Sequence, residues 1–106
     1  MYQIVIYIPE SHVEPVKEAL FKAGAGKIGD YDSCAWQTLG QGQFRPLEGS
    51  TPYIGQIGDV EQVAEYRVEL VCEKAALKAA VAAMITAHPY EEPAYSVWAL
   101  FDVEEL

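Results

Sequence analysis

The sequence predicts an α+β fold, a ferredoxin-like β-α-β-β-α-β sandwich with an extended hairpin or arm. Two observations carry that prediction. Strand-type and helix-type hydrophobic patterns succeed one another along the chain in that order. The chain also has 106 residues, which is one domain by size, spanning 1–106.

Gln3 to Ile8 reads QIVIYI. Both faces are apolar, which suits a central strand covered on one side by helices and on the other by a second subunit. Ser11 to Glu14 spell S-x-x-E, the pattern of a capping box, and Pro15 fits a first helical turn. Val13, Val16, Leu20 and Ala23 then recur at helical spacing, Glu18 and Lys22 form an i,i+4 pair, and Gly24 ends the helix.

GAGKIGDY follows, with three glycines between Gly24 and Gly29. A turn of this kind either shapes the chain or cradles a ligand through backbone N–H groups, with Gly26 and Lys27 as the candidate contacts. It matches neither the Walker nor the dinucleotide pattern. Ser33 to Leu39 reads as a strand, Gly40 and Gly42 suit a tight reversal, and Gln43 to Pro46 would return. Leu47 to Val63 is a 17-residue arm or loop with a short strand expected at Tyr53–Ile57. Loops of that length in a small domain usually have a role, and contact between subunits is one.

From Ala64 to Cys72 the alternation is clear: Tyr66, Val68, Leu70 and Cys72 on one face, Glu65, Arg67 and Glu69 on the other. Glu73 to Ala87 predicts the second helix, with Leu77, Val81 and Met84 on its seam and small alanines allowing close approach to the sheet. The last strand begins after Pro93. A sandwich of this kind leaves one sheet face open, and association through the sheet or the long hairpin would cover it.

Composition narrows the function. Hydrophobic residues make up 51% and charged residues 22%, which argues against disorder. A net charge of −9 repels phosphate backbones and acidic membranes, so neither nucleic acid nor membrane is expected as a partner. The two cysteines, Cys34 and Cys72, form no CxxC, and no leader is seen; both are expected reduced in apolar strands of a cytoplasmic protein. Trp36 and Trp98 are expected to pack in the fold or in a subunit interface.

The segment with the most chemistry is AHPYEEPAYSVW, Ala87 to Trp98. In one reading Pro89 and Pro93 shape a stiff turn, and His88 sits at a helix C-terminus where positive charge is favoured. In the other, the stiff backbone presents His88, Tyr90, Glu91 and Glu92 to a ligand. His88 with Glu91 and Glu92 could hold a divalent metal, or His88 could act as a base oriented by Glu91 or Glu92, although HPYEE is not HExxH.

HPYEEPAY also resembles the signature of the YqfO-type insert domain of the Nif-three-like proteins. The resemblance continues through AGAGKIGDYDSCAW (Ala23–Trp36), GQFRPLEGSTPYIG (Gly42–Gly55) and the strand around Glu65–Glu69, and covers nearly the whole chain. It implies a fold similar to the CutA and PII-like proteins, ferredoxin-like sandwiches that commonly form trimers. In the larger relatives two flanking halves carry histidine-rich motifs for a dinuclear metal centre. This sequence, with its two histidines, has neither half, so a hydrolase or cyclohydrolase activity is not carried over. The resembling stretch typically reads PAYD; here Ser96 replaces that aspartate, which weakens a metal site.

The expectation is therefore a non-catalytic, oligomeric assembly or ligand-sensing module, trimeric rather than dimeric, with a partner protein possible. The alternatives are a divalent-metal-binding protein and a hydrolase-like enzyme using His88. The expected site is a cleft between AHPYEEP and the Gly24–Gly29 turn, within one chain or across a subunit boundary. An anionic ligand there would need Lys27, Arg45 or Arg67; a cation would be attracted more easily.

Overall fold

Ile4, Ile6 and Ile8 alternate along β1 (Tyr2–Pro9) and are wholly buried. Burying each is worth roughly 1.5–3 kcal/mol, and their register fixes the sheet. Ile4 lies opposite Leu70, and Ile6 opposite Val68, on β3 (Glu61–Cys72). On its other side β1 pairs with β4 (Tyr95–Ala99), where Ile4 faces Val97. β2 (Trp36–Phe44) closes the far edge against β3. The computed structural model, which describes residues 1–106, is thus a four-stranded antiparallel sheet in the order β2-β3-β1-β4. That is the ferredoxin-like arrangement.

Two helices cover one face. In α1 (Val13–Lys22), Val13, Val16 and Leu20 are buried, as their spacing predicts. In α2 (Lys74–Ala87), Ala80 and Met84 are buried and join the same core cluster. The small residues set the helix contact: a Cβ on Gly24, just past α1, would stand 3.0 Å from the Ala76 Cβ. α1 ends in a Schellman-type closure, with Ala25 N–H donating to Leu20 O and Gly24 N–H to Phe21 O, and Gly24 at φ +109°. No helix is long and apolar enough to cross a membrane.

Several local expectations fail. The capping box does not form: a 3-10 turn (Glu10–His12) precedes α1, and His12 rather than Ser11 is its N-cap. Ser11 Oγ instead meets His12 Nδ1 at 2.8 Å. The ion pair on α1 joins Lys17 to Glu14 at 2.7 Å, not Lys22 to Glu18. There is no reversal at Gly40 and Gly42. β2 runs through both, paired from Trp36 opposite Glu69 to Phe44 opposite Glu61, because a continuous ladder outweighs glycine's turn preference. No strand forms at Tyr53–Ile57.

The chain between Arg45 and Val60 is an arm closed on itself. Gly58 N–H donates to Pro46 O at 2.8 Å, and Ser50 Oγ donates to Leu47 O at 2.6 Å. Cys72 is buried at the end of β3, but Cys34 lies outside any strand and is only partly buried. Trp36 is 68% exposed and Trp98 44% exposed, so neither belongs to the core of this chain.

Candidate functional site

Pro89 ends α2 and turns the chain so that the His88 ring points inward. His88 is only 6% exposed. Its Nε2 donates to Tyr7 O at 2.8 Å, and its Nδ1 accepts from Tyr90 N–H at 3.1 Å. Both bonds are satisfied by one neutral tautomer, with the proton on Nε2. Burial lowers the His88 pKa below its ordinary value, outweighing the Tyr7 carbonyl and the Glu65 carboxylate, which act upward. The positive charge expected at this helix end is therefore absent. Desolvation and the lone pair needed by Tyr90 N–H decide against it.

Tyr90 swings toward β3. Its hydroxyl donates to Glu65 Oε2 at 2.8 Å, and burial together with this bond holds its pKa well above the ordinary phenol value. Glu65 has room because of Gly42: a Cβ there would collide with the Glu65 carboxylate. Glu91 reaches the arm, where its Oε2 accepts from Thr51 N–H at 3.0 Å. HPYEEP thus joins the end of α2, β1, β3 and the arm. The Tyr90 ring lies 5.8 Å from Phe44, 6.4 Å from Tyr53 and 5.0 Å from His88, centroid to centroid. His12 stands edge-on to Tyr53 at 5.7 Å.

These contacts line a cavity of about 230 Å³, open to solvent on one side, between the arm, the β2–β3 end and the HPYEEP segment. Its apolar and aromatic walls include Tyr7, Phe44, Pro52, Tyr53 and Tyr90. Its polar groups include Glu65, Glu91 and Glu92, and no lysine or arginine lines it.

Of the residues expected to bind a ligand, Tyr90, Glu91 and Glu92 meet at this cavity. His88 does not line it and serves the backbone instead. Gly26 and Lys27 are elsewhere. Gly26 N–H donates to Val71 O at 2.7 Å and Gly26 O accepts from Cys34 N–H at 2.8 Å, so its backbone is committed to structure. Val71 pairs with Gln3, whereas His88 is bonded to Tyr7. At strand rise these positions are about 13 Å apart along β1. The AHPYEEP and Gly24–Gly29 segments therefore form no common cleft within one chain; the arm takes the glycine turn's place.

Nor are His88, Glu91 and Glu92 gathered for a metal. No group of three or more His, Cys, Asp or Glu side chains is arranged to hold one. A general-base role meets the same obstacle, because both His88 nitrogens are bonded to backbone. Of the basic residues expected to help an anion, Arg67 lies beside the cavity, with Nη1 donating to Tyr7 OH at 3.2 Å. Sequence reasoning missed Glu65, Tyr53 and Phe44. The single sequence signal for Glu65 was a charge on the open face of an alternating strand; the structure pairs it with Gly40.

No protein-family model matches the chain. It is 53% identical over 96 residues to a Mycobacterium leprae (strain TN) protein named GTP cyclohydrolase 1 type 2 homolog, covering 91% of this chain and 25% of that protein. A crystal structure of a Bacillus cereus protein related to NIF3 superposes with a TM-score of 0.81 at 40% identity, covering 95% of this chain and 26% of the other. CutA1 from Pyrococcus horikoshii shares the fold, with a TM-score of 0.69 at 18% identity, and is covered over 86% of its length against 97% of this chain. The chain spans about a quarter of the length of the curated relatives it matches.

Proposed function

From its homology to a quarter-length stretch of the NIF3-related proteins, we propose that this chain is a non-catalytic, homo-oligomeric binding module that holds a small ligand between its arm and the HPYEEP segment. The observation that carries the reading is the cavity itself. Its walls are fixed by the Thr51 N–H to Glu91 bond, by the Tyr90 to Glu65 side-chain bond and by prolines, so little ordering entropy opposes a ligand. The cyclohydrolase wording belongs to relatives about four times longer, and the residues of this cavity supply no base with a free nitrogen.

Assembly is supported by surface. The accessible area is 6992 Å², against about 5,900 Å² for a typical monomer of this mass. Both sheet edges carry an exposed tryptophan, Trp36 on β2 and Trp98 on β4. The assembly proposed is a trimer rather than a dimer, the form that the resemblance to CutA and PII-like proteins implies.

The test is a fragment screen read by amide NMR. Ligands of the cavity should shift Thr51, Tyr90 and Glu91 together and saturably, and should no longer shift Tyr90 and Glu91 when Leu47–Ile57 is excised. Fragments that gather elsewhere, or none that saturates, would overturn the reading.

A further inference from the structure

Resting on the binding reading above, we infer that the cavity selects a small organic cation, a protonated amine with a short apolar body. The walls divide into two kinds of group. Phe44, Tyr53 and Tyr90 present ring surface, the Tyr7 ring being already faced by the Arg67 guanidinium, and the rings flanking Tyr90 are tilted by 59° and 50° rather than stacked, so they form walls around a space. Such π faces attract a cation and exclude water around an alkyl chain.

Glu65, Glu91 and Glu92 are the ionisable acids among the lining residues, and no Lys or Arg among those residues balances them. Two of the three have one oxygen already used: Glu65 Oε2 accepts from Tyr90 OH, and Glu91 Oε2 from Thr51 N–H. Those bonds hold the two carboxylates in place while leaving their second oxygens without a protein donor, and Glu92 has none at all. An ammonium group, with three donors and one positive charge, matches that set of acceptors. A carboxylate or phosphate does not, and the net charge of −9 repels it from a distance as well. The volume of about 230 Å³ is the space of roughly eight waters, which limits the guest to a small molecule.

The experiment uses three probes with one apolar body: n-butylammonium, n-butanol and butyrate. Each is titrated into the folded protein at low salt, with the amides of Thr51, Tyr90 and Glu91 followed by NMR. The expected result is saturable binding of butylammonium, at least about tenfold tighter than either other probe, and weakened as salt rises. Glu92 is exposed and makes no bond within the fold, so Glu92→Gln should fold normally and bind butylammonium about tenfold more weakly.

Butanol or butyrate binding as well as the amine at the same amides would overturn the cation selectivity while leaving the cavity a binding site. Glu92→Gln binding as tightly as the parent would also overturn it. Silence from all three probes would overturn the inference too, and the fragment screen then decides whether the cavity binds anything.

Discussion

His88 shows how a residue typical of catalytic sites becomes a structural one. Its two ring nitrogens close two backbone bonds at the end of α2, and burial keeps it neutral. A lowered folded pKa means that the unfolded chain binds a proton before the folded chain does. The contribution to stability is full above the ordinary value of 6.5 and is lost as pH falls from there through the lowered folded value. Thermal melts from pH 7.5 to pH 5 should show that decline, and His88→Leu should flatten it. The same variant leaves Tyr7 O and Tyr90 N–H unpaired and should cost about 2–4 kcal/mol at pH 7.5. An unchanged pH profile in the leucine variant would assign the decline to other groups. Tyr90→Phe removes the bond to Glu65 and should cost about 1 kcal/mol, discounted for partial exposure, as read from chemical denaturation.

At the level of elements, the glycine turn takes the structural one of its two readings, and the arm lines the cavity. Gly24–Gly29 looks like an anion loop but works as a fastener between α1 and β3. A Cβ on Gly26 would stand 2.9 Å from Cys34 O and from the Phe21 ring, at φ +77°. Gly26→Ala should therefore lose about 2 kcal/mol or more. Gly29, at φ +55° with open space around it, supplies the control: Gly29→Ala carries only the left-handed backbone cost of about 1 kcal/mol. Equal urea midpoints for the two variants would remove steric closure from the account of this turn. The arm, whose length suggests a role such as contact between subunits, is one wall of the cavity, held by Glu91 and by its own Pro46–Gly58 closure.

Over the whole molecule, shape and surface are consistent with the assembly proposed above. The radius of gyration is 15.1 Å, against about 13 Å for a compact chain of this length. Val5, on the sheet face away from the helices, is nevertheless 2% exposed, while Trp36 and Trp98 flank that same face at the two sheet edges. A charge at either edge would be desolvated if strands from two copies meet there. Trp36→Glu should shift native mass spectra from oligomer to monomer while leaving the circular dichroism spectrum unchanged. Retention of the assembled mass would remove β2 from the interface.

The order of strands and helices, the core faces of α1 and α2 and the alternation in β3 were determined by the sequence alone, because hydrophobic periodicity records which side of each element is buried. So was the stiff, polar character of HPYEEP, whose two prolines and dense polar groups are local facts. Tertiary structure alone decided what those residues do. His88 pairs with Tyr7, which is 81 residues away, and Tyr90 with Glu65, which is 25 away. Glu91 meets Thr51 across 40 residues. No local pattern encodes such pairings. They arise when β1, β3 and the arm converge, and burial then sets the protonation that chemistry at a site would depend on.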